Sequence, residues 1–295
     1  MSKFNKRTTA EQVTDGIDLS GKVAVVTGVN SGIGNETARV LALRGARILG
    51  TARTLEKASE ACNTFGNAAT PVEWELEDLS SIRSAIDTVG SSTDRIDILI
   101  ANAGIMALPK LETVNGLEKQ FATNHIGHFL LVTGLLALIK AADSARIVIV
   151  SSAAHRQAPA GGIEFDNLDG GKGYSPWRAY GQSKLANVLF ANELARQLKD
   201  DGVSVNSLHP GVIATNLGRY MNPLIGMAFG LFGFWTMKNV AQGAATSCYL
   251  AAHPDVKDVT GRYFSDCREA NPLALARSED LAKQLGDKSE QLVSA

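Results

Sequence analysis

Short apolar runs alternate with longer amphipathic segments along most of the chain. Runs typical of buried strands begin at Lys22, Ala46, Pro71, Ile96, Arg146 and Val203, and the late pair Tyr263–Phe264 could add a final strand. Helix-length segments lie between them, at Gly34–Arg44, at Ser80–Val89 and after Gly116. Because the strands are apolar on both faces, this pattern predicts an α/β fold with a doubly wound parallel sheet covered by helices on both sides.

The domain organisation follows from the continuity of this rhythm. It runs to about residue 265 without a proline-rich or low-complexity linker, which predicts one domain. We expect a polar N-terminal arm at residues 1–18, the domain at 19–270 and a charged tail at 271–295.

Composition and charge exclude several classes of protein. The 295 residues carry a formal net charge of −1 without a long run of like charges, which argues against nucleic acid as a partner. The apolar stretch Leu224–Trp235 is too short to cross a bilayer, and the first sixteen residues contain no apolar signal region. Cys62, Cys248 and Cys267 form no CxxC pair, which is typical of free thiols in a reducing compartment. We therefore expect a soluble cytoplasmic protein.

A glycine-rich turn follows the first predicted strand and precedes the first helix. In that context, glycines permit a tight turn and close backbone approach to a pyrophosphate, while the helix N-terminus supplies oriented N–H groups. An ordinary strand–helix turn is the alternative, since glycine serves in many turns. The turn predicts a dinucleotide site made of Gly28, Asn30, Ser31, Gly32, Ile33 and Gly34.

The end of the second predicted strand bears on which nicotinamide cofactor binds. It reads Gly50-Thr51-Ala52-Arg53, with no carboxylate before Glu56. An acidic residue there would favour NAD, whereas an arginine suits the 2′-phosphate of NADP. The alternative is a surface arginine at the start of a helix. The sequence favours NADP(H) over NAD(H), with Arg53 as the phosphate-binding residue.

Tyr180 and Lys184 are the candidate catalytic pair. Four residues apart on a helix, the phenol and the ammonium lie on the same face. A nearby cation favours the phenolate and lowers the pKa of the phenol from about 10, so the pair can exchange protons near neutral pH. A solvated helix face is the alternative interpretation of this spacing.

The chain resembles the short-chain dehydrogenase/reductase family from about Leu19 to Tyr263. The resemblance rests on TGxxxGxG at Thr27–Gly34, on Asn102-Ala103-Gly104, on the Tyr180–Lys184 spacing and on the run from His209 to Thr215. It implies a Rossmann domain with a seven-stranded parallel sheet that binds NAD(P). It also implies further cofactor contacts, from Asp78 and Leu79 at the adenine, from Asn102, Ala103 and Gly104, and from Pro210, Gly211, Val212 and Thr215 around the nicotinamide and its phosphate.

The same resemblance assigns catalytic roles. Ser152 orients the substrate oxygen, and Ser151 is the alternative if the register differs by one residue. Asn124 holds, through its backbone, a water that links Lys184 to solvent. Tyr180 protonates the carbonyl oxygen, and Lys184 lowers the pKa of Tyr180 and holds the nicotinamide ribose. The implied function is hydride transfer between NADPH and a carbonyl compound, with alcohol oxidation as the reverse.

The substrate is expected to be a hydrophobic aldehyde, ketone or alcohol. Ser152 and Tyr180 lie 28 positions apart, about twice the separation in many family members. This long segment resembles the branch of retinol dehydrogenases and the WW-domain oxidoreductase, and more distantly protochlorophyllide reductase. Residues 216–238 fall where the family has its substrate lid, with apolar side chains at Met227, Phe229, Phe232, Phe234 and Trp235. Core packing, a partner chain or a bilayer surface are the alternatives for these side chains.

Other functions on this fold stay open. A protochlorophyllide-reductase-like enzyme, an epimerase-type enzyme and a non-catalytic NADP(H)-binding scaffold or redox sensor are the alternatives. His125 and His128 have a chelating spacing but no evident third ligand, so we expect no metal. The long helices at 116–140 and 178–199 are compatible with a homodimer or homotetramer, and equally with packing inside the chain.

Overall fold

Seven parallel strands and one short antiparallel edge strand form the central sheet. The structure, a computed structural model, describes residues 3–66, 69–213 and 237–294. The strands are β1 Val23–Thr27, β2 Arg47–Ala52, β3 Ala69–Glu73, β4 Ile98–Ala101, β5 Thr113–Val114, β6 Leu117–Glu118, β7 Ala145–Val150, β8 Val203–His209, β9 Tyr263–Ser265 and β10 Arg268–Glu269. Their order in the central sheet is β10-β9-β8-β7-β4-β1-β2-β3, and β5 and β6 form a separate hairpin. The predicted doubly wound α/β fold is confirmed, and β10 is an addition to the seven expected strands.

Helices cover both faces of this sheet. They are α1 Ala10–Val13, α2 Gly32–Leu43, α3 Leu55–Asn63, α4 Leu79–Ser92, α5 Lys119–Phe121, α6 Gly127–Gly134, α7 Leu136–Lys140, α8 Pro176–Gln197, α9 Val240–Ala252 and α10 Glu279–Ser294. A π-helical turn at Ala122–Ile126 joins α5 to α6, and short 3₁₀ turns lie at Ala153–Gln157, Pro254–Val256 and Ala274–Arg277.

The core has two halves, one on each face of the sheet. Leu99, Phe121 and Leu131 belong to the half under α4, α6 and α8. Val26 and Ile48 belong to the half under α2 and α9. All five residues of β1 are buried, as expected for a strand covered on both sides.

The strand register brings several chain segments to one edge of the sheet. Val26 pairs with Ile100 of β4, Ile100 pairs with Val148 of β7, and Val148 pairs with Asn206 of β8. Since these strands are parallel, their carboxyl ends meet at the same edge, where ligands bind in open α/β sheets.

The N-terminal residues that we expected to form a polar arm pack against the domain. Phe4, Ala10 and Val13 are buried, and the Phe4 ring meets Tyr249 edge-on at 5.8 Å between centroids. The Phe4 carbonyl also accepts a hydrogen bond from Arg268. This segment therefore contributes to the core half around α9.

The C-terminal tail also packs on the domain, through α10. Ala282, Leu285 and Val293 are buried in the core half that includes α8. The face of α8 toward α10 is therefore covered within the chain itself. Within the part of the chain that the structure describes, no helix is long and apolar enough to span a bilayer.

Candidate active site

The glycine-rich turn lies between β1 and α2 at the carboxyl edge of the sheet. Gly28 and Gly32 have φ values of +75° and +61°, which L side chains rarely adopt. A Cβ at Gly34 would lie 2.4 Å from the carbonyl oxygen of Gly28, so only glycine permits this turn. Ser31 is the N-cap of α2, and the N–H groups of the first helical turn have no intrahelical acceptor. Such a turn fits an anionic pyrophosphate.

Thr27 ties this turn to the loop after β4. Its hydroxyl oxygen accepts hydrogen bonds from the backbone N–H groups of Asn102 and Ala103, at 2.8 and 2.9 Å. The Asn102 side chain in turn donates to the carbonyl oxygen of Thr27 at 2.9 Å. The predicted cofactor residues Asn102 and Ala103 are therefore held beside the predicted turn.

Asn124 occupies the π-helical turn and holds the other end of the same loop. Its Oδ1 accepts from the Ile105 N–H at 2.8 Å, and its Nδ2 donates to the Ile105 carbonyl and to the Ser183 hydroxyl. A Cβ at Gly104 would lie 2.7 Å from Asn124 Oδ1 and 3.4 Å from Lys184 Nζ. Gly104 is therefore required for the close approach of Asn124 and Lys184. Single π-helical turns are frequent at functional sites.

Tyr180 lies in the N-terminal half of α8, opposite Ser152. The phenol is buried, and burial raises the pKa of Tyr180 to about 12 against the opposing effect of a hydrogen bond with the Ser152 hydroxyl. We expected the neighbouring cation to lower this pKa. In the structure the pKa of Tyr180 is raised instead, because desolvation of the phenolate outweighs the contacts that stabilise it. The favoured form of Tyr180 is therefore the neutral phenol, which is a proton donor.

Lys184 lies one helical turn after Tyr180 and is buried beneath it. Its Nζ lies 5.8 Å from the centroid of the Tyr180 ring and donates to the carbonyl oxygen of Val150 at 3.3 Å. Burial lowers the pKa of Lys184 to about 8. Near neutral pH this ammonium can both hold and release a proton.

The two serines after β7 have different environments. The Ser151 hydroxyl is buried and donates to the backbone carbonyl of Lys184 at 2.7 Å. Ser152 is half-buried, caps the 3₁₀ turn through Ala154 and hydrogen-bonds Tyr180. The structure thus brings Ser152, rather than Ser151, to the phenol.

The predicted adenosine end lies at the carboxyl ends of β2 and β3. Arg53 is exposed and close enough to Glu75 to lower the pKa of that carboxyl group, although burial raises it overall. Asp78 caps α4 by accepting from the backbone and side chain of Ser80, and Leu79 packs against the core. Sequence reasoning missed Glu75, because its proximity to Arg53 depends on the pairing of β2 with β3.

The segment after β8 completes the described part of this edge. Pro210 is buried, Gly211 has φ +104°, and Val212 is exposed. The carbonyl oxygen of Pro210 accepts from Lys238 Nζ at 3.0 Å, and that ammonium pairs with Asp266 at 2.5 Å. Thr215 and the lid side chains within 216–236 lie outside the described residues, so only Lys238 and its neighbours mark the far end of that segment.

The long segment between Ser152 and Tyr180 is anchored by Gln120. Its Oε1 accepts from the Ala107 N–H at 2.6 Å, and its Nε2 lies 3.1 Å from the Tyr174 hydroxyl and 3.3 Å from the Pro176 carbonyl. The Tyr174 hydroxyl donates to the carbonyl oxygen of Leu108 at 2.6 Å. Gln120, which is fully buried, thus joins the loop after β4 to the segment before α8.

The two histidines with chelating spacing have separate partners. His125 Nε2 lies 2.9 Å from the Ser289 hydroxyl of α10, whereas His128 Nε2 lies 3.1 Å from the Thr27 hydroxyl. Among the residues that the structure describes, no group of three or more histidine, cysteine or acidic side chains could hold a metal ion.

Comparisons with known proteins identify the family. The family model of short chain dehydrogenase matches residues 22–165 and 167–224. The chain is 43% identical to Short-chain dehydrogenase TIC 32 A, chloroplastic, of Brassica napus, covering 100% of this chain and 95% of the relative. It is 39% identical to human Retinol dehydrogenase 14, covering 93% of this chain and 87% of the relative. A crystal structure of an uncharacterized protein from Mycobacterium paratuberculosis superimposes with a TM-score of 0.77 at 33% identity, covering 96% of this chain and 97% of that one.

These matches cover the sheet, the glycine-rich turn and the Tyr180–Lys184 helix together. The predicted resemblance to the retinol dehydrogenase-like branch is thereby confirmed. The chain belongs to the short-chain dehydrogenase family of NAD(P)-binding oxidoreductases, which act on alcohol and carbonyl groups.

Proposed function

We propose that the protein is an NADP(H)-dependent oxidoreductase that interconverts a hydrophobic aldehyde or ketone and its alcohol, with Tyr180 as the acid and base. The observation that carries this proposal is the meeting of three side chains at the carboxyl edge of the sheet. Tyr180 hydrogen-bonds Ser152, and the Lys184 ammonium lies 5.8 Å from its ring. A scaffold that only bound the cofactor would not need this group.

The chain fits a nicotinamide dinucleotide. The positive φ angles of Gly28 and Gly32, together with the close approach of Gly34 to the Gly28 carbonyl oxygen, form a tight turn at the N-terminus of α2. The pyrophosphate would be held by the glycine-rich turn, with Gly28, Asn30, Ser31, Gly32, Ile33 and Gly34. The middle of the site would be lined by Asn102, Ala103 and Gly104, and the nicotinamide would be approached by Pro210, Gly211 and Val212. When bound, the cofactor supplies or accepts the hydride at the substrate carbon.

The residues of the chain handle the proton. Ser152 holds the substrate oxygen beside the phenol, and the neutral Tyr180 donates its proton to that oxygen during carbonyl reduction. In alcohol oxidation Tyr180 accepts the proton instead. Lys184 stabilises the phenolate that forms after reduction, and Asn124 connects this pair to solvent through its backbone carbonyl. Because the site is buried, these charges interact more strongly than they would in water.

The preference for NADP(H) rests on Arg53. Its guanidinium is exposed at the end of β2 and offers a planar fork that can bind a phosphate through two parallel hydrogen bonds. Glu75 is the nearby carboxylate that could bind a ribose hydroxyl instead. Its electrostatic attraction to Arg53 favours an ion pair between the two side chains over a contact of Glu75 with the ribose.

The proposed substrate class has two supports. Relatives named retinol dehydrogenase match nearly the whole chain, and the retinol in that name is an alcohol with a large apolar body. In the sequence, aromatic residues at 229–235 fall where the family has its substrate lid, and an unusually long segment separates Ser152 from Tyr180. A cytoplasmic location agrees with Cys62, Cys248 and Cys267, which are buried free thiols.

Turnover of a panel of hydrophobic aldehydes with NADPH tests the proposed chemistry. Tyr180→Phe is expected to lower kcat by at least about a thousandfold while leaving the NADPH Kd unchanged. Tyr263→Phe removes a buried phenol on β9 and serves as the matched control, with turnover retained. Tyr180→Phe with wild-type turnover would refute the assignment.

Binding of NADPH and NADH tests the cofactor preference. Arg53→Ala is expected to raise the NADPH Kd about 10- to 100-fold, the value of one or two charge-assisted hydrogen bonds, with little effect on NADH. Arg95→Ala is the control, because Arg95 lies at the opposite, amino-terminal edge of the sheet near Gly21 and Asp97. Equal losses for both cofactors would contradict a role at the 2′-phosphate.

A further inference from the structure

A buried histidine links the cofactor-binding turn to Asn124. His128 is 1% exposed. Its Nε2 lies 3.1 Å from the Thr27 hydroxyl and its Nδ1 lies 3.1 Å from the backbone carbonyl oxygen of Asn124. The Trp74 indole packs edge-on against the ring, with 5.4 Å between centroids and an interplanar angle of 89°. The imidazole is thus fixed on three sides.

The neighbouring bonds determine which nitrogen carries the proton. The Thr27 oxygen already accepts from two backbone N–H groups, those of Asn102 and Ala103. A hydroxyl has two acceptor positions and one hydrogen, so its hydrogen is directed to His128 Nε2. Nε2 is then the acceptor, and the Nδ1–H donates to the Asn124 carbonyl. Burial lowers the pKa of His128 to about 4, in agreement with this neutral tautomer.

The two ends of this hydrogen-bond chain belong to different halves of the site. At one end, Thr27 fixes the loop of Asn102 and Ala103 beside the glycine-rich turn. At the other end, the carbonyl of Asn124 lies in the π-helical turn, where the regular backbone pattern is interrupted. The close approach of Gly127 to Leu76, whose side chain and carbonyl would each lie 2.7 Å from an added Cβ, keeps this turn against the segment after β3.

We propose that His128 is a positioning residue that holds the cofactor-binding loop and the Asn124 carbonyl in fixed register, so that the cofactor and the proton-transfer groups stay aligned. The roles of the two ends rest on the proposed function. The link itself rests on contacts of the protein alone. Its loss on the Asn124 side should disturb proton transfer, and its loss on the Thr27 side should disturb cofactor binding.

The tautomer provides a test that is independent of activity. The protein contains five histidines, so selective ¹⁵N labelling of histidine gives a tractable NMR spectrum, and His128→Gln identifies the signals of His128. We expect the neutral Nδ1–H tautomer, with no titration between pH 6 and 8. A neutral Nε2–H tautomer, or a ring that titrates in this range, would overturn the proposal whatever the activity of the variants.

Two substitutions then separate the two contacts. The side-chain amide of glutamine reaches the position of Nε2, so His128→Gln keeps the contact with Thr27 and loses the donor to Asn124. The amide of asparagine reaches the position of Nδ1, so His128→Asn does the reverse. Losing one hydrogen bond of this kind corresponds to about a tenfold effect.

We expect His128→Gln to lower kcat of alcohol oxidation about tenfold and to shift its pH profile, with the NADPH Kd little changed. His128→Asn should instead raise the NADPH Kd about tenfold and leave kcat at saturating cofactor nearly intact. His253→Gln, at the end of α9, is the control and should change neither constant. Equal effects of both variants on both constants, or a change in melting temperature alone, would reduce His128 to a structural role. If Tyr180→Phe remains active, the proposed function fails. The tautomer of His128 still tests whether this residue links Thr27 to Asn124.

Discussion

Gly181 determines how closely the helix of Tyr180 approaches the segment of Ser152. A Cβ at Gly181 would lie 2.7 Å from the carbonyl oxygen of Ala154, 2.7 Å from the carbonyl carbon of Gln157 and 2.8 Å from the backbone nitrogen of Ala158. All three atoms are backbone, so no flexible side chain can move aside. Gly181→Ala therefore requires α8 and the 3₁₀ turn to separate by about 0.7 Å, the difference from an ordinary contact of 3.4 Å.

The expected cost follows from this displacement. Overpacking a tight contact costs about 1 to 3 kcal/mol, which corresponds to a fall in Tm of about 2 to 12 °C for a domain of this size. Moving the Ser152 hydroxyl by a large fraction of an ångström should lower kcat about 10- to 100-fold. The NADPH Kd should be nearly unchanged, because the glycine-rich turn lies outside this contact.

Thermal denaturation and steady-state kinetics test the prediction together. Gly90→Ala is the matched control, since Gly90 is also helical but exposed, and an added Cβ there meets nothing within 4 Å. This control should retain full activity and gain about 0.5 to 1 kcal/mol, because alanine favours the helix more than glycine. If Gly181→Ala behaves like Gly90→Ala, the close approach does not determine the geometry of the site.

Three further predictions concern pH and the tail. Because burial raises the pKa of Tyr180 to about 12, log kcat/KM for alcohol oxidation should rise by about one per pH unit between pH 6 and 8. The rate of carbonyl reduction should stay level over this range, and a flat oxidation profile would show that another group is the base. Burial lowers the pKa values of His125, His128 and His209 to about 3, 4 and 4, below the unfolded value of 6.5. The stability that these neutral rings contribute is therefore present above pH 6.5 and is lost as the pH falls toward 4, by about 4 kcal/mol per pH unit for the three rings together. Urea denaturation at a series of pH values should show this slope in the free energy of unfolding, and a constant value from pH 6.5 to 4.5 would refute it. Leu285→Ala, in the face of α10 that covers α8, should cost about 2 to 5 kcal/mol, and an unchanged Tm would show that α10 does not support the domain.

The local patterns of the sequence predict the sheet and most of the site. The glycine-rich turn and the Asn102 loop each follow a strand directly, so their position at the carboxyl edge depends only on the strand order that a doubly wound sheet requires. Gly28 to Gly34 and Asn102 lie where this reasoning puts them, whereas Tyr180 lies on α8 and reaches this edge through the packing of that helix. The register of β7 also separates Ser152 from Ser151, because successive strand residues point to opposite sides.

Contacts between distant parts of the chain could not be predicted in this way. Phe4 packs on Tyr249, and α10 packs on α8, through surfaces that carry no sign of their partner in the local pattern. The two-residue turn between β9 and β10 has Asp266 and Cys267 at positive φ. Glycine or asparagine at these positions would have indicated a turn in the sequence, but this pair does not. The pKa of Tyr180 belongs to the same class, because its sign depends on how deeply the phenol is buried.

The bonds of Gln120 also determine how substrate specificity can be exchanged between relatives. A segment transplanted from another family member between Ser152 and α8 would have to supply the hydroxyl that Gln120 and Leu108 bind, here that of Tyr174, and leave the carbonyl of Pro176 in place for Gln120. A graft with its junctions inside these contacts, from Ala158 to Gly173, keeps them, whereas one that replaces Tyr174 removes the hydroxyl that donates to the Leu108 carbonyl and contacts Gln120. Chimeras of the first kind that also keep the buried Ile163 and Leu168 should therefore fold and report on specificity, and this boundary gives loop engineering a defined segment to exchange.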